Sequence, residues 1–406
     1  MDEQEAITKA QALLNRPGDA NVSPLAVYRR AAKADSVQQR RPNVVLIMME
    51  SMSAKFMKHF GQSETLTPFL DSLYTRSISF RNFYSAGIHT NHGLYATLYS
   101  FPAMMKRNLM KGSVIPRYSG LPTVLKENGY YNLFFMTHEG QYDNMNAFFR
   151  TNGYDEVFSQ EDYPVDKVVN SFGVQDDFLY DYAIPVLNQR AATGQPFFAT
   201  LLSISNHPPY VIPPFFHPKT SEPEMQIVEY ADWALRQFFE EARKQPWFDN
   251  TIFVLEGDHG KLVGDAECEL PESYNHIPLM IYSSRIQPEE KTAFGGQVDI
   301  QPTILGLLNI DYLQNNFGVD LLKEERPCMF YTADNMVVGR NDTLLYLYNY
   351  ETQQELTYDI GNGKLNAVPM DDSFFPLKEY SFSMLQSAEF LVKHGKTLNS
   401  IPFTQQ

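Results

Sequence analysis

One short segment, residues 253–260, joins an apolar run to side chains that can bind a metal ion. The run is typical of a β-strand and ends abruptly at Glu256 and Gly257, and Asp258 and His259 follow. In an open parallel sheet, ligands bind at the carboxyl ends of strands, where this pair would emerge. A carboxylate oxygen and an imidazole nitrogen suit Mn²⁺ or Zn²⁺ and are tolerated by Mg²⁺. The simpler alternative is a strand-to-turn junction with a capping Asp and an exposed His.

A second apolar run, Asn43–Met49, also ends at a carboxylate, that of Glu50. Its apolar residues do not alternate with polar ones, which predicts a strand buried on both faces of a sheet. Glu50 is therefore expected at the carboxyl end of a strand, as Asp258 is. The two carboxylates can meet only if their strands are neighbours in one sheet.

A third segment, residues 85–93, carries Thr90 directly before the helix-like residues 94–99. A threonine at the start of a helix is usually only an N-cap. The same position lowers the cost of negative charge on the threonine oxygen, and a nearby metal would lower it further. Thr90 is thus either a cap or an alkoxide-like nucleophile for phosphoryl or sulfuryl transfer, and its spacing does not separate the two.

Further motifs give these residues a family context. They are LTPFL (66–70), NGY (128–130), NGYD (152–155), SNHPPY (205–210) and VDIQPT (298–303). In their order and spacing the chain resembles the sulfatase-related branch of the alkaline phosphatase-like superfamily. It is most similar to the extracellular domains of lipoteichoic acid synthase-type phosphoglycerol transferases. The resemblance runs over about residues 42–308 and is looser beyond them.

The resemblance implies a metal centre and a nucleophile. In the family, an acid after the first strand, a threonine that opens a helix and a late Asp-His pair bind one divalent metal. Those positions match Glu50, Thr90, Asp258 and His259 here. Mn²⁺ is the expected ion, with Mg²⁺ and Zn²⁺ as alternatives, and Thr90 is the expected catalytic nucleophile. His207 matches a histidine that binds substrate in the family; the alternative is a loop histidine before two prolines.

The chain departs from the family pattern at one phosphate contact. Lipoteichoic acid synthases carry an aromatic-Asn-Arg element near the middle of the domain. Here that region includes Tyr142, Asp143 and Asn144, and Met145 falls near the arginine position. Loss of a planar, bidentate phosphate donor is not a conservative change, so glycerol phosphate as the transferred group is in doubt.

Two more histidines are candidate substrate contacts. His138 follows the strand-like residues 132–137 and could border the site. His276 precedes an apolar run and could contact substrate or complete a second metal site. For both residues a structural role is the alternative.

The cysteines argue against a sulfatase that uses formylglycine. Ordinary sulfatases oxidise a cysteine, or rarely a serine, to formylglycine within a short Pro/Ala- and Arg-containing motif. Neither Cys268 nor Cys328 lies in such a motif, and the threonine at the nucleophile position cannot form formylglycine. Two cysteines also cannot supply the several disulfides of many phosphoethanolamine transferases. Whether the two cysteines pair is not decided by the sequence.

Composition agrees with a large folded enzyme. The 406 residues are 43% hydrophobic, enough for a sizeable core, and the net charge is −15. That charge disfavours nucleic acid and simple adhesion to anionic lipid. The sequence contains no apolar run near the ~20 residues that cross a bilayer, and its acidic start does not resemble a signal peptide. We expect either an extracytoplasmic domain separated from a membrane anchor or a soluble relative.

Turn and helix signals divide the chain into three parts. Residues 1–41 suit a helical lead-in or stalk with a charged connector. Residues 42–325 predict a catalytic α/β domain, a three-layer sandwich around a mostly parallel sheet. Residues 326–406 predict a small antiparallel subdomain closed by a helix near 379–394. A further amphipathic helix is expected at 225–243. The candidate strands of the sheet are residues 43–49, 131–136, 196–203, 251–256 and 278–283.

These features together predict a two-step group transfer. Thr90 attacks phosphorus, a phosphothreonine-type intermediate forms, and water or an acceptor alcohol removes it. The resemblance implies a lipid-headgroup or glycan-linked phosphate as the substrate and the extracytoplasmic cell envelope as the location, with a membrane tether in the parent protein. A phosphodiesterase or phosphatase is the first alternative, and a non-catalytic binding domain is the second.

Overall fold

The fold is that of a computed structural model of the chain. The structure describes residues 2–17, 19, 25, 27–29, 41–112, 114–361 and 363–398. Most of the charged connector expected before residue 42 lies outside these described residues.

Helices and strands alternate along most of the chain. The α-helices are α1 (Glu3–Leu14), α2 (Pro68–Tyr74), α3 (Thr90–Tyr99), α4 (Leu121–Glu127), α5 (Met145–Thr151), α6 (Asp176–Ala192), α7 (Pro223–Ala242), α8 (Ile300–Leu307) and α9 (Phe375–Lys393). The strands are β1 (Val27–Arg29), β2 (Asn43–Met49), β3 (Ile78–Tyr84), β4 (Tyr131–Phe135), β5 (Glu156–Phe158), β6 (Val168–Asn170), β7 (Gly173–Val174), β8 (Phe197–Leu202), β9 (Thr251–Gly257), β10 (Leu279–Tyr282), β11 (Glu289–Gly296), β12 (Tyr312–Gln314), β13 (Met329–Thr332), β14 (Met336–Arg340), β15 (Leu344–Asn349), β16 (Gln354–Gly361) and β17 (Lys364–Ala367). Within the described ranges, none of these helices has the length and apolar character needed to cross a membrane.

The central sheet is mostly parallel, as predicted. In the described part of the chain it has eight strands, in the order β11-β3-β10-β9-β2-β8-β4-β5. Strand β10 pairs antiparallel with both β9 and β3, whereas the other neighbours pair parallel. The candidate strand at 278–283 is therefore the reversed member of the sheet, a direction that its apolar composition did not reveal.

Both faces of the sheet are buried, which explains the unbroken apolar runs. Along β2, Leu46 and Met48 join one hydrophobic cluster, whereas Ile47 and Met49 join the other. Helices α3, α4 and α8 cover the first face, and α2, α6 and α7 cover the second. Each such side chain contributes about 1.5–3 kcal/mol on burial. The result is the predicted three-layer sandwich.

A separate antiparallel sheet follows the central one, again as predicted. Its strands run in the order β13-β14-β15-β16-β17, and α9 packs on β13 and β14. Gly339 on β14 permits this contact, because a Cβ there would lie 2.9 Å from the Leu377 carbonyl oxygen of α9. The lead-in helix α1 in turn packs against α9, and an ion pair joins Lys393 Nζ to Glu3 Oε1 at 2.9 Å.

A buried ion pair between Arg326 and Asp299 connects the start of α8 to helix α9. Arg326 Nε donates to Asp299 Oδ2 at 2.9 Å, and Arg326 Nη1 donates to the Tyr380 hydroxyl of α9 at 2.6 Å. Asp299, within the VDIQPT motif, also accepts from the backbone N–H groups of Gly296 and Val319 at 2.9 and 2.8 Å. Neither charged side chain has access to solvent that could replace its partner.

We therefore predict that Arg326→Met destabilises the fold by about 3–5 kcal/mol, because Asp299 stays buried without its cation. Tyr380→Phe, which removes one hydrogen bond from the same guanidinium but leaves the ion pair, should cost less, about 1.5–3 kcal/mol. Urea denaturation followed by circular dichroism measures both. Equal losses in the two variants would contradict a role for the buried charge.

Candidate metal centre and nucleophile

Neighbouring strands bring Glu50 and Asp258 to one point. Strands β2 and β9 pair in parallel with Met49 opposite Gly257, so the residue that follows each strand emerges at the same edge. The Asp258 N–H donates to the Met49 carbonyl oxygen at 3.0 Å, which extends the pairing by one step. Both carboxylates are buried, with 1% and 0% of the residue exposed. The two strands are thus neighbours in one sheet, as the sequence analysis required for the two carboxylates to meet.

His259 completes a group of three possible ligands. One ligand atom from each of Glu50, Asp258 and His259 lies within 4.8 Å of the other two. His259 Nε2 is 3.8 Å from Glu50 Oε1 and 3.6 Å from Asp258 Oδ2. His259 Nδ1 lies 2.7 Å from the Gly260 carbonyl oxygen. A proton on Nδ1 satisfies that carbonyl and leaves the Nε2 lone pair directed at the carboxylates, as in metal-binding histidines.

The electrostatics of the cluster fit a divalent cation. Burial, together with the neighbouring charge of Asp258, raises the pKa of Glu50 well above its usual range. Asp258 Oδ1 accepts the N–H groups of Ser51 and His259 at 2.8 and 2.7 Å, whereas Oδ2 has no hydrogen-bond partner among the described residues. A bound cation would offset the repulsion and pair with Oδ2. The oxygen and nitrogen donors suit Mn²⁺, Mg²⁺ or Zn²⁺.

Thr90 lies beside this cluster at the start of a helix. It is the first residue of α3, and the N-cap position belongs to His89, which makes no side-chain cap. The Thr90 hydroxyl instead donates to Glu50 Oε2 at 3.3 Å. The positive end of the helix dipole favours negative charge on an oxygen placed here. All four residues predicted for the metal centre are therefore brought together.

A glycine and a glutamine hold the Thr90 helix against the turn that carries Asp258 and His259. A Cβ on Gly93 would lie 2.3 Å from the Asp258 carbonyl oxygen, so only glycine permits this approach. Gln297 Nε2 donates to the carbonyl oxygens of Gly257 and Asp258, and its Oε1 accepts the Ala86 N–H. Sequence reasoning missed Gln297 because its partners come from two distant segments. Its position directly before the VDIQPT motif was the available signal.

His138 and His207 lie at the two ends of a row of aromatic rings. The His138 ring is 4.7 Å from that of Tyr142, and the Phe172 ring is 4.0 Å from that of His207. Tyr142 and Phe172 are 6.4 Å apart. Burial lowers the pKa of His138. Burial raises the pKa of Tyr142, and the charges of Asp143 and Glu50 raise it further.

His276 lies outside the carboxylate cluster. Its Nε2 is 2.8 Å from the Arg81 carbonyl oxygen, its Nδ1 is 3.9 Å from Glu272 Oε1, and its ring stacks on Tyr84 at 5.1 Å. Among the described residues, the group of possible metal ligands does not include His276. A substrate contact by His276 stays a prediction.

Met145 is fully buried in the hydrophobic core on α5. A cation near the site comes instead from Lys261, two residues after His259. Lys261 Nζ donates to Asn206 Oδ1 at 2.8 Å and to the Tyr210 hydroxyl at 3.0 Å. Burial lowers the pKa of Lys261 to about 8. Sequence reasoning missed Lys261, because a single lysine in an irregular loop has no periodic signal.

The two cysteines are free thiols. Burial raises the pKa of Cys268 to about 11 and that of Cys328 to about 12. Since the thiolate is the reactive form, neither residue is a nucleophile near neutral pH.

A family model described as Sulfatase matches residues 42–310, more than half of the chain. The chain belongs to the sulfatase family. The match covers Glu50, Thr90, Asp258 and His259, and it confirms the resemblance seen in the sequence.

Curated relatives of this sulfatase-family chain include lipoteichoic acid synthases. Lipoteichoic acid synthase 2 of Bacillus subtilis is 24% identical over 315 residues, which cover 70% of this chain and 47% of that protein. Lipoteichoic acid synthase 1 of the same organism is 25% identical over 350 residues, which cover 79% and 53%. The chain thus spans about half the length of the curated relatives it matches.

Solved structures of related sulfatase-like proteins share the fold. An alkaline phosphatase superfamily protein from Vibrio parahaemolyticus is 27% identical and superposes with a TM-score of 0.85, covering 97% of both chains. A lipoteichoic acid synthase from Listeria monocytogenes is 21% identical, with a TM-score of 0.75, covering 87% of this chain and 93% of that one. These likenesses confirm the predicted fold class.

The cluster geometry predicts that Asp258→Ala and His259→Ala each lose the bound metal while the fold stays largely intact. Both side chains emerge after a strand end, so their removal spares the apolar layers. Elemental analysis of the purified chain should find about one divalent ion in the wild type and almost none in either variant. His394→Ala, at the exposed end of α9, is the control and should keep the ion. Wild-type metal content in either variant would refute the ligand assignment.

Proposed function

We propose that this chain is a divalent-metal-dependent enzyme that transfers a phosphorus-containing headgroup through Thr90. The observation that carries the proposal is the Thr90 hydroxyl, which donates to Glu50 Oε2 at 3.3 Å beside Asp258 and His259. Membership of the sulfatase family and similarity to lipoteichoic acid synthases support an enzyme of phosphoglycerol transferase type. Mn²⁺ is the proposed metal, with Mg²⁺ and Zn²⁺ as alternatives.

The residues of the site have separate tasks in this proposal. Glu50, Asp258, His259 and the Thr90 oxygen would hold the metal, which would lower the pKa of the hydroxyl and stabilise charge on phosphorus-bound oxygens. Glu50 Oε2 accepts a hydrogen bond from the Thr90 hydroxyl, which keeps that oxygen beside the proposed metal ligands. The first turn of α3 favours negative charge on that oxygen.

The transfer then proceeds in two balanced displacements. In the first, Thr90 Oγ1 loses its proton and bonds to phosphorus, the bond from phosphorus to the leaving alcohol breaks, and the departing oxygen takes up a proton. In the second, an acceptor hydroxyl loses its proton and bonds to phosphorus, the bond from phosphorus to Thr90 Oγ1 breaks, and Thr90 regains a proton. A transferase and a hydrolase differ only in whether the acceptor is an alcohol or water.

Headgroup transfer is preferred to hydrolysis because the curated relatives are synthases. The proposed substrate is a lipid-headgroup or glycan-linked phosphate, met at the extracytoplasmic face of a membrane to which the parent protein is tethered. A purely structural or binding role is disfavoured, because such a domain has no need for two buried carboxylates that repel each other.

The nucleophile assignment predicts that Thr90→Ala loses turnover by at least about a thousandfold. It should keep the metal at weakened affinity, since three ligands remain. Thr90→Ser should retain part of the activity because the hydroxyl survives. Mass spectrometry of the wild type, quenched during turnover, should place the added phosphoryl group on Thr90. An active Ala variant would move the nucleophile elsewhere, for example to a metal-bound water.

The chemistry of the nucleophile also predicts a substrate preference. The metal-loaded chain should cleave phosphodiesters such as bis(4-nitrophenyl) phosphate and leave 4-nitrophenyl sulfate untouched. Aryl sulfate hydrolysis in this family's usual form needs a formylglycine, which Thr90 cannot become. A panel that adds phosphatidylglycerol and an acceptor alcohol then separates transfer from hydrolysis. Efficient sulfate release would overturn the proposal.

A further inference from the structure

Lys261 is a fixed cation between the two loops that border the metal centre. It follows the metal-ligand pair by two residues, and its Nζ crosses to the loop that carries His207. There it donates to Asn206 Oδ1 at 2.8 Å and to the Tyr210 hydroxyl at 3.0 Å.

Asn206 ties this ammonium group to the backbone of the metal centre. Its Nδ2 donates to the carbonyl oxygens of Glu50 and Ser51 at 3.2 and 3.1 Å. One amide side chain therefore contacts both the peptide that carries the first metal ligand and Lys261. Through Asn206, the backbone that carries Glu50 therefore also positions Lys261 Nζ.

The aromatic surroundings also restrain the lysine. Its Nζ lies 4.7 Å from the centre of the Tyr210 ring and 5.3 Å from that of Phe56. A cation over aromatic faces is stabilised by the electrons of the rings. The side chain is half-buried, so these contacts replace much of its water.

The ammonium group retains unused binding capacity. It has three donor hydrogens, and the two acceptors recorded among the described residues are both uncharged. No described carboxylate forms an ion pair with it, and the charges of Glu224 and Glu50 act on it only from a greater distance. Glu224 is linked to it through the Tyr210 hydroxyl, which donates to Glu224 Oε1 at 3.5 Å. A partly desolvated cation with no carboxylate in direct contact is stabilised when a ligand supplies an anionic oxygen.

We propose that Lys261 binds an anionic non-bridging oxygen of the phosphorus ester, and so supplies the positive charge that the buried Met145 does not. This deepens the proposed function and rests on it for the identity of the transferred group. An ammonium group is a point charge that contacts one oxygen, whereas a guanidinium grips two in a fixed plane. The site therefore recognises charge more than shape, which suits monoanionic phosphodiesters with varied alcohol groups.

Inorganic phosphate is the probe that tests this without turnover. The full chain, loaded with Mn²⁺, is titrated with phosphate by calorimetry, as wild type, Lys261→Gln and Lys261→Arg. The Gln variant can still donate to Asn206 but has no charge, and it should bind phosphate at least about tenfold more weakly. The Arg variant should stay within about threefold of the wild type. Lys55→Gln, a half-buried lysine on the turn after Glu50, is the matched control and should bind as the wild type does.

Metal content, measured on every variant, separates anion binding from a purely structural link between the loops. Unchanged phosphate affinity in Lys261→Gln, or a loss that follows a loss of metal, overturns the inference, as does a wild type that does not bind phosphate. If phosphate binding weakens with metal content intact but no phosphorus ester is turned over, the anion site stands and the proposed function fails. If esters are turned over and the Gln variant is unaffected in both affinity and KM, only the role of Lys261 fails.

Discussion

Two buried carboxylates at adjacent strand ends are the constraint on which the site depends. Glu50 and Asp258 are held close because β2 and β9 pair with Met49 opposite Gly257. Their repulsion is unfavourable, and the apolar burial of both sheet faces offsets it. A shift of one residue in this pairing would turn every side chain of a strand to the other face. The hydrophobic pattern that folds the sheet therefore also fixes the separation of the two carboxylates.

The loops around Glu50 and Asp258 are fixed by buried side chains that accept hydrogen bonds from their backbone N–H groups. Asp176, at the start of α6, accepts the N–H groups of Ile204 and Ser205 at 2.9 and 3.0 Å. This holds the loop that carries Asn206 and His207 against the start of α6. On the opposite side Gln297 performs the same task for the Thr90 helix. The loops around the carboxylate cluster are thus irregular backbone whose geometry comes from side chains far away in sequence.

The contrast between regular strands and irregular loops explains which features the sequence revealed. Strands β2 and β9 were predictable because burial on both faces leaves unbroken apolar runs, and the acids after them were predictable as strand-end residues. The order of the motifs supported a family resemblance, and that resemblance pointed to Thr90. The reversal of β10 was not predictable, because an apolar strand carries no mark of its direction. Lys261 and Gln297 were missed because their hydrogen-bond partners are distant in sequence and only the fold brings them near.

The packing of α1 on α9 has a mechanical consequence. The two helices lie side by side, joined by apolar contacts and by the ion pair between Lys393 and Glu3. Tension applied at the start of α1 would be met first by sliding of one helix along the other. Because α9 also packs on β13 and β14, a load on α1 would pass through α9 to the antiparallel sheet.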